Sequence, residues 1–213
     1  MTGRELMTKP SKQLGIKGFT LVEMMVTLVV VAVLLATVMP NLAAFGANSR
    51  LTAAAEQVYS HVELARAEAV ARSVPVFLNF GDTGDAEWTY GMSVNADCAV
   101  AEIIPTGADA CVMVIDDGDG NVDPGDGSVD GGDLVLSRST GDEHTDVTLS
   151  IDNFSSGDTQ IRFDPLRGMS DTGDILLVAS SGRQLMVRVS PMGQARICSP
   201  DGSMAGYSAE DCS

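Results

Sequence analysis

Positive charge is scarce in this chain and unevenly placed: 13 Lys and Arg stand against 29 Asp and Glu in 213 residues, a formal net charge of −16. The first 18 residues hold four of the bases (Arg4, Lys9, Lys12, Lys17) and one acid, which leaves nine bases, all Arg, against 28 acids beyond Gly18. A surface of that sign repels nucleic acid at long range unless its bases are gathered on one patch. Aromatic residues make up 5% of the chain, and the two histidines, His61 and His144, have no metal-ligand spacing. No Cys-x-x-Cys pair, phosphate-binding glycine loop or Ser/His/Asp order occurs, so zinc, redox, nucleotide and hydrolase chemistry all lack support. The chain does not read as an enzyme.

What is present starts with an apolar run, residues 19–39, broken by one acid, Glu23. As a helix at ~1.5 Å per residue the run rises roughly 30 Å, enough to cross the hydrocarbon layer. The leader bases precede it and no base follows until Arg50, so the positive-inside rule keeps the leader in the cytoplasm and sends the remainder across the membrane. In an ordinary signal peptide the small-residue cut site follows the apolar segment. Here the small residue, Gly18, precedes it, and cleavage there would leave the helix on the mature chain. A carboxylate inside a spanning helix costs about 2.5–3.5 kcal/mol, so Glu23 needs a partner. Cleavage would supply one, the new α-amine of Phe19.

The junction Gly18-Phe19-Thr20-Leu21-Val22-Glu23 resembles that of type IV pilins and type II secretion pseudopilins: a basic leader, Gly, Phe-Thr-Leu, and Glu five residues into the mature chain. The resemblance implies cleavage between Gly18 and Phe19 by a prepilin peptidase, N-methylation of Phe19, and pairing of Glu23 with that terminus during assembly. It also implies a single-pass inner-membrane protein with a cytoplasmic N-terminus and a periplasmic globular domain, later moved into a pilus or pseudopilus. The expected domains are a leader (1–18), a transmembrane and assembly half-helix (19–47), an amphipathic half-helix (48–73) and a β-rich globular domain (74–213).

Pro40 falls just past the apolar run and is expected to kink the helix, as in pilins. Beyond it Leu51, Ala55, Val58, Val62, Ala65 and Ala69 recur at steps of four and three, one helical stripe that fits a sheet. Arg50, Gln57, His61, Glu63 and Arg66 lie off that stripe and are expected to face water. After Arg72 the period shortens. Residues 74–80 and 88–94 read as strands joined by a turn at 81–85, and residues 147–151, 160–163, 175–178, 185–189 and 195–198 read as five more, the last three linked by hairpins at Gly182-Arg183 and Met192-Gly193-Gln194. The passage from 64 to 76, Phe163-Asp164-Pro165-Leu166-Arg167-Gly168 and the ending Gly193-Gln194-Ala195-Arg196-Ile197-Cys198 resemble the GspH/FimT family. That likeness implies an α+β, pilin-like fold, a long N-terminal helix on an antiparallel sheet.

Two groups of polar residues offer binding alternatives. Asp117, Asp119, Asn121 and Asp123 in the acidic loop 116–133 repeat the oxygen spacing that opens an EF-hand loop, but Val122 and Ser128 stand where its Gly and Glu belong. A polar hairpin loop between flanking strands is the preferred reading, with no cofactor, and Ca2+ the alternative. Arg183, Arg188 and Arg196 are candidates for DNA contact because some FimT-like pilins are linked with DNA uptake; Gln194 departs from that motif. Cys98, Cys111, Cys198 and Cys212 all fall in the exported part, where disulfides persist, and Cys98–Cys111 with Cys198–Cys212 closes the shortest loops. The sequence thus describes a structural minor pilin or pseudopilin that acts with other pilins in initiation or at a tip, with nucleic-acid binding and Ca2+ binding as alternatives.

Overall fold

The computed structural model describes residues 18–105, 107, 109–114, 134–152, 154–155 and 159–212, excepting the side chains of 37–43 and 134. The chain forms two compact units, Met1–Leu42 and Ala43–Ser213. Helix α1 (Leu21–Arg72) begins in the first and ends in the second. Thr20 caps it, its hydroxyl accepting from the Glu23 N–H at 3.2 Å, and Thr20 with Glu23 has the spacing of a capping box. At the other end Ser73 turns to φ 57° and Pro75 cannot continue the helix. The kink expected at Pro40 concerns a side chain outside the described residues.

In the second unit α1 lays its apolar stripe against antiparallel sheets. One sheet has the order β5-β2-β1-β7, from Arg138–Thr140, Thr89–Ser93, Val76–Gly81 and Gln160–Phe163. The other has the order β10-β9-β8-β6, from Ala195–Cys198, Gln184–Val189, Gly173–Ala179 and Val147–Asp152. A hairpin of β3 (Val112–Val114) and β4 (Leu134–Leu136), in register at Val114 and Leu134, brackets the acidic segment. The chain is α+β, a helix on antiparallel sheets, with the 185–189 strand alternating as expected: Leu185, Val187 and Val189 turn inward.

The stripe Leu51, Ala55, Val58, Val62, Ala65 and Ala69, joined by Ala54, is wholly buried and shares one core with Leu78, Tyr90, Ile161, Phe163, Leu149, Ile175 and Leu177. Four alanines in it let the helix backbone come close to the sheets, while each buried Leu or Val contributes roughly 1.5–3 kcal/mol. Strand β5 is a departure from the sequence reading. Arg-Ser-Thr carries no apolar alternation, and it becomes a strand only by pairing with β2, Tyr90 opposite Ser139.

Both cysteine pairs are bonded, Cys98 to Cys111 between β2 and β3 and Cys198 to Cys212 after β10. The second closes a C-terminal strap that returns to the helix: Met204 enters the core and the Tyr207 hydroxyl donates to Glu56 Oε1 at 3.4 Å. Closing loops of this size removes unfolded-chain entropy worth about 3 kcal/mol in the chain-entropy account.

Candidate functional site

The described helix residues 21–36 are apolar except for Glu23 and for Thr27, whose hydroxyl donates to the Met24 carbonyl at 2.9 Å, and all are exposed. A helix with no polar face cannot solvate itself and calls for lipid or other apolar helices around it. Among the described residues no helix is both long and apolar enough to cross a membrane, and the side chains that complete the 19–39 run lie outside the description. Gly18 and Phe19 precede the helix and are exposed. Glu23 lies in the first turn, where the helix macrodipole favours an acid. The Thr20 cap engages the backbone amide of Glu23 and leaves its carboxylate exposed.

The polar side chains flanking the core stripe are not simply solvated. Gln57 Nε2 donates to Ser139 Oγ at 3.2 Å, Glu63 Oε1 accepts from the Ala195 N–H at 3.0 Å, and Arg66 Nε donates to the Gly168 carbonyl at 3.1 Å. Arg50 bridges to Asp146 at 3.0 Å. The reason is geometric: sheets lie on both flanks of the stripe, so residues one step off it meet strand edges and loops instead of water. His61 is half-buried, with Nδ1 2.6 Å from the Tyr90 hydroxyl. Trp88 stacks between Tyr90 and His144, ring planes within 9° of each in turn, and His144 Nε2 bonds Gln57 Oε1.

Burial lowers the pKa of both histidines below the ordinary 6.5, Glu143 opposing this at His144, and pushes the Tyr90 hydroxyl far up. The fold therefore prefers neutral imidazoles. Stability from these two groups is fully present above about pH 6.5 and declines as pH falls through that value, since the unfolded chain takes up protons that the fold resists. Urea unfolding should show an earlier midpoint at pH 5.5 than at pH 7, and His61→Gln should flatten that difference. An unchanged pH dependence in the variant would refute the assignment to His61.

The DNA candidates separate. Arg188 forms an ion pair with Asp174 at 2.7 Å and donates to the Cys212 carbonyl, tying the C-terminal strap to β8 and β9. Cross-strand pairing decides this, because Arg188 lies opposite Asp174 in the register. Arg196 pairs opposite Arg188 on β10 and is exposed, while Arg183 sits half-buried at the hairpin turn. Of the three, Arg196 is exposed and Arg183 and Arg188 are each half-buried. Asp117, Asp119, Asn121 and Asp123 fall outside the described residues. Among the described residues no cluster of three or more His, Cys, Asp or Glu could hold a metal. An open hollow of about 440 Å³ between Arg162 and Asp171 has its carboxylates already engaged, Asp164 with the Leu166 and Arg167 amides and Asp171 with the Arg162 amide.

Comparison with known proteins adds the following. A family model described as type II transport protein GspH matches residues 54–193, and a prokaryotic N-terminal methylation motif matches residues 15–39. The chain is similar to the minor pseudopilin EpsH of the type 2 secretion system of Vibrio cholerae, at 11% identity over 71% of this chain and 98% of that one, TM-score 0.42. It is likewise similar to the type IV minor pilin FimU of Pseudomonas aeruginosa, at 12% identity over 72% and 97% of the two chains, TM-score 0.42. No curated protein sequence matches it significantly.

Proposed function

Since the chain belongs to the type II transport protein GspH family, we propose that it is a structural subunit, a minor pilin or pseudopilin that is anchored in the inner membrane and then built into a filament through the first half of α1. The observation that carries this reading is the helix of residues 21–36, exposed and apolar but for Glu23 and Thr27, in a chain whose second unit has a core of its own. Such a helix is stable in lipid or among other helices and nowhere else. Prepilin peptidase acts on the chain after Gly18, and Phe19 is then methylated. Glu23 lies one helical turn from that terminus, or faces that of a neighbour, and neutralises it where water is excluded. The subunit serves at the start or tip of the filament.

The reading is tested in the native host. N-terminal sequencing should begin at Phe19, and the processed chain should appear in the sheared filament fraction. Glu23→Leu should leave insertion and cleavage intact yet reduce incorporation at least tenfold. A Glu23→Leu chain that enters filaments at the normal level would remove the pairing role, and a processed chain confined to the membrane would remove the filament reading.

A further inference from the structure

The loop between β2 and β3, residues 94–111, exposes two adjacent isoleucines, Ile103 at 66% and Ile104 at 58%. Single exposed apolar residues are ordinary, but this pair sits on a loop closed by a disulfide and cross-linked by its own hydrogen bonds. The Cys98–Cys111 disulfide closes its base. Within it Ala99 N–H donates to the Asp109 carbonyl at 2.6 Å, Gly107 N–H to the Ile104 carbonyl at 2.8 Å, and Ile104 N–H to Glu102 Oε1 at 2.9 Å. Its underside is seated on the first sheet. Asn79 Nδ2 donates to Cys98 Sγ, Arg138 Nε donates to the Val100 carbonyl, and Cys111 presses on Gly91, where even a methyl group would lie 2.6 Å from its Cβ.

Nothing in that network needs the two side chains at the tip. The fold builds a stiff platform, then places at its summit the residues least suited to water. A loop so fixed loses little conformational freedom on binding, which is the usual source of affinity in preorganised contacts. The charge around it identifies what it fits. The loop itself carries Asp97, Glu102 and Asp109, the first and last of them exposed, and no Lys or Arg; the base described beneath it, Arg138, is turned to the Val100 carbonyl. An anionic bilayer would repel such a surface, and so would another acidic face.

We propose that the Cys98–Cys111 loop is a docking finger that inserts Ile103 and Ile104 into an apolar pocket rimmed by Lys or Arg on the globular domain of a neighbouring filament subunit, an inference that rests on the filament reading above. Apolar anchors seated in a pocket give the contact its strength, and the acidic surround directs approach and excludes wrong partners. An apolar helix bundles with any like helix; the finger supplies a choice of neighbour that helix bundling alone does not.

The test uses the full chain in its native host with a photo-crosslinking amino acid at position 104. Irradiated filaments should yield an adduct with a second pilin-type subunit, mapped to a globular-domain peptide that combines apolar residues with Lys or Arg. The same probe at position 166, which is 87% exposed but lies far along the chain in the β7–β8 loop, should give that adduct at less than a tenth of the yield. Ile103→Asp should cut the position-104 adduct at least tenfold while processing and both disulfides persist, and Asp109→Lys should cut it severalfold. An adduct with lipid, with a second copy of this chain alone, or none at all from chains recovered in filaments would overturn the docking finger and leave the filament reading standing. Indifference to Asp109→Lys would overturn the basic rim. Absence of the chain from filaments would overturn both readings.

Discussion

Replacing Trp88 by Ala is expected to lower the thermal unfolding midpoint by about 10 °C, the largest stability loss foreseen for any single truncation in the core. Large aromatic-to-Ala changes cost about 3–5 kcal/mol, and each kcal/mol moves a unit of this size by about 2–4 °C. Trp88 belongs at the upper end because it has several tasks. It is fully buried, and its indole N–H donates to the Val147 carbonyl at 2.9 Å, joining the approach to β2 with the start of β6 in the other sheet. Its ring is stacked between Tyr90 and His144, with centroids 5.9 and 6.1 Å away. Gly141 lies over its edge, so close that a methyl group there would meet the indole nitrogen at 2.8 Å. Truncation would therefore leave a cavity walled by a strand and a short 3-10 turn, unable to collapse, and an unpaired carbonyl at Val147. Because the chain has one Trp, far-UV circular dichroism is the appropriate probe. Trp88→Phe separates the effects, since it keeps most of the ring and loses the hydrogen bond, and about 1–3 kcal/mol should be lost. A shift below about 3 °C for Trp88→Ala would show that the sheets are joined elsewhere.

What could be read from the sequence depended on whether the signal was local. The buried stripe of α1 was legible because steps of four and three put Leu51, Ala55, Val58, Val62, Ala65 and Ala69 on one line. The terminal hairpins were legible because Gly182 and Gly193 interrupt alternating runs, and the structure pairs β8 with β9 and β9 with β10. The junction at Gly18 was legible because its residues act together within a few positions, and the methylation motif matches there. Features set by distant partners were not legible. Strand β5 exists because β2 offers it an edge, His61 is half-buried because Tyr90 comes to it, and Arg188 is engaged because the register sets Asp174 opposite. None of these leaves a mark in the residues nearby. The Thr20 cap was local, by contrast: a Thr directly before an apolar helical run is an N-cap signal, and it was passed over because the same residues had a more conspicuous reading in the junction.

Gly193→Ala is expected to destabilise the second unit by about 3–4 kcal/mol, although it adds only one methyl group. Two costs combine. Gly193 has φ +70°, where an L-residue is disfavoured by about 1–2 kcal/mol. The added methyl would also lie 2.0 Å from the Gly168 carbonyl oxygen and 3.1 Å from the Arg66 side chain. Overpacking of that kind costs a further 1–3 kcal/mol, because the obstacle is backbone and cannot rotate aside. The crowding has a structural purpose. The Gly168 carbonyl accepts from Arg66, and two residues beyond Gly193 the Ala195 amide donates to Glu63, so the turn between β9 and β10, the loop after β7 and one helix face converge here. Pushing the turn away would loosen both bonds and let α1 shift across the sheet. Gly182→Ala is the control: its φ is +81°, similarly disfavoured, but nothing lies within 4 Å of the added methyl. It should cost only the conformational share, about 1–2 kcal/mol, in urea unfolding of the same preparation. Equal losses in the two variants would mean that the helix is not held at this junction and that its position on the sheets is set by the apolar stripe alone.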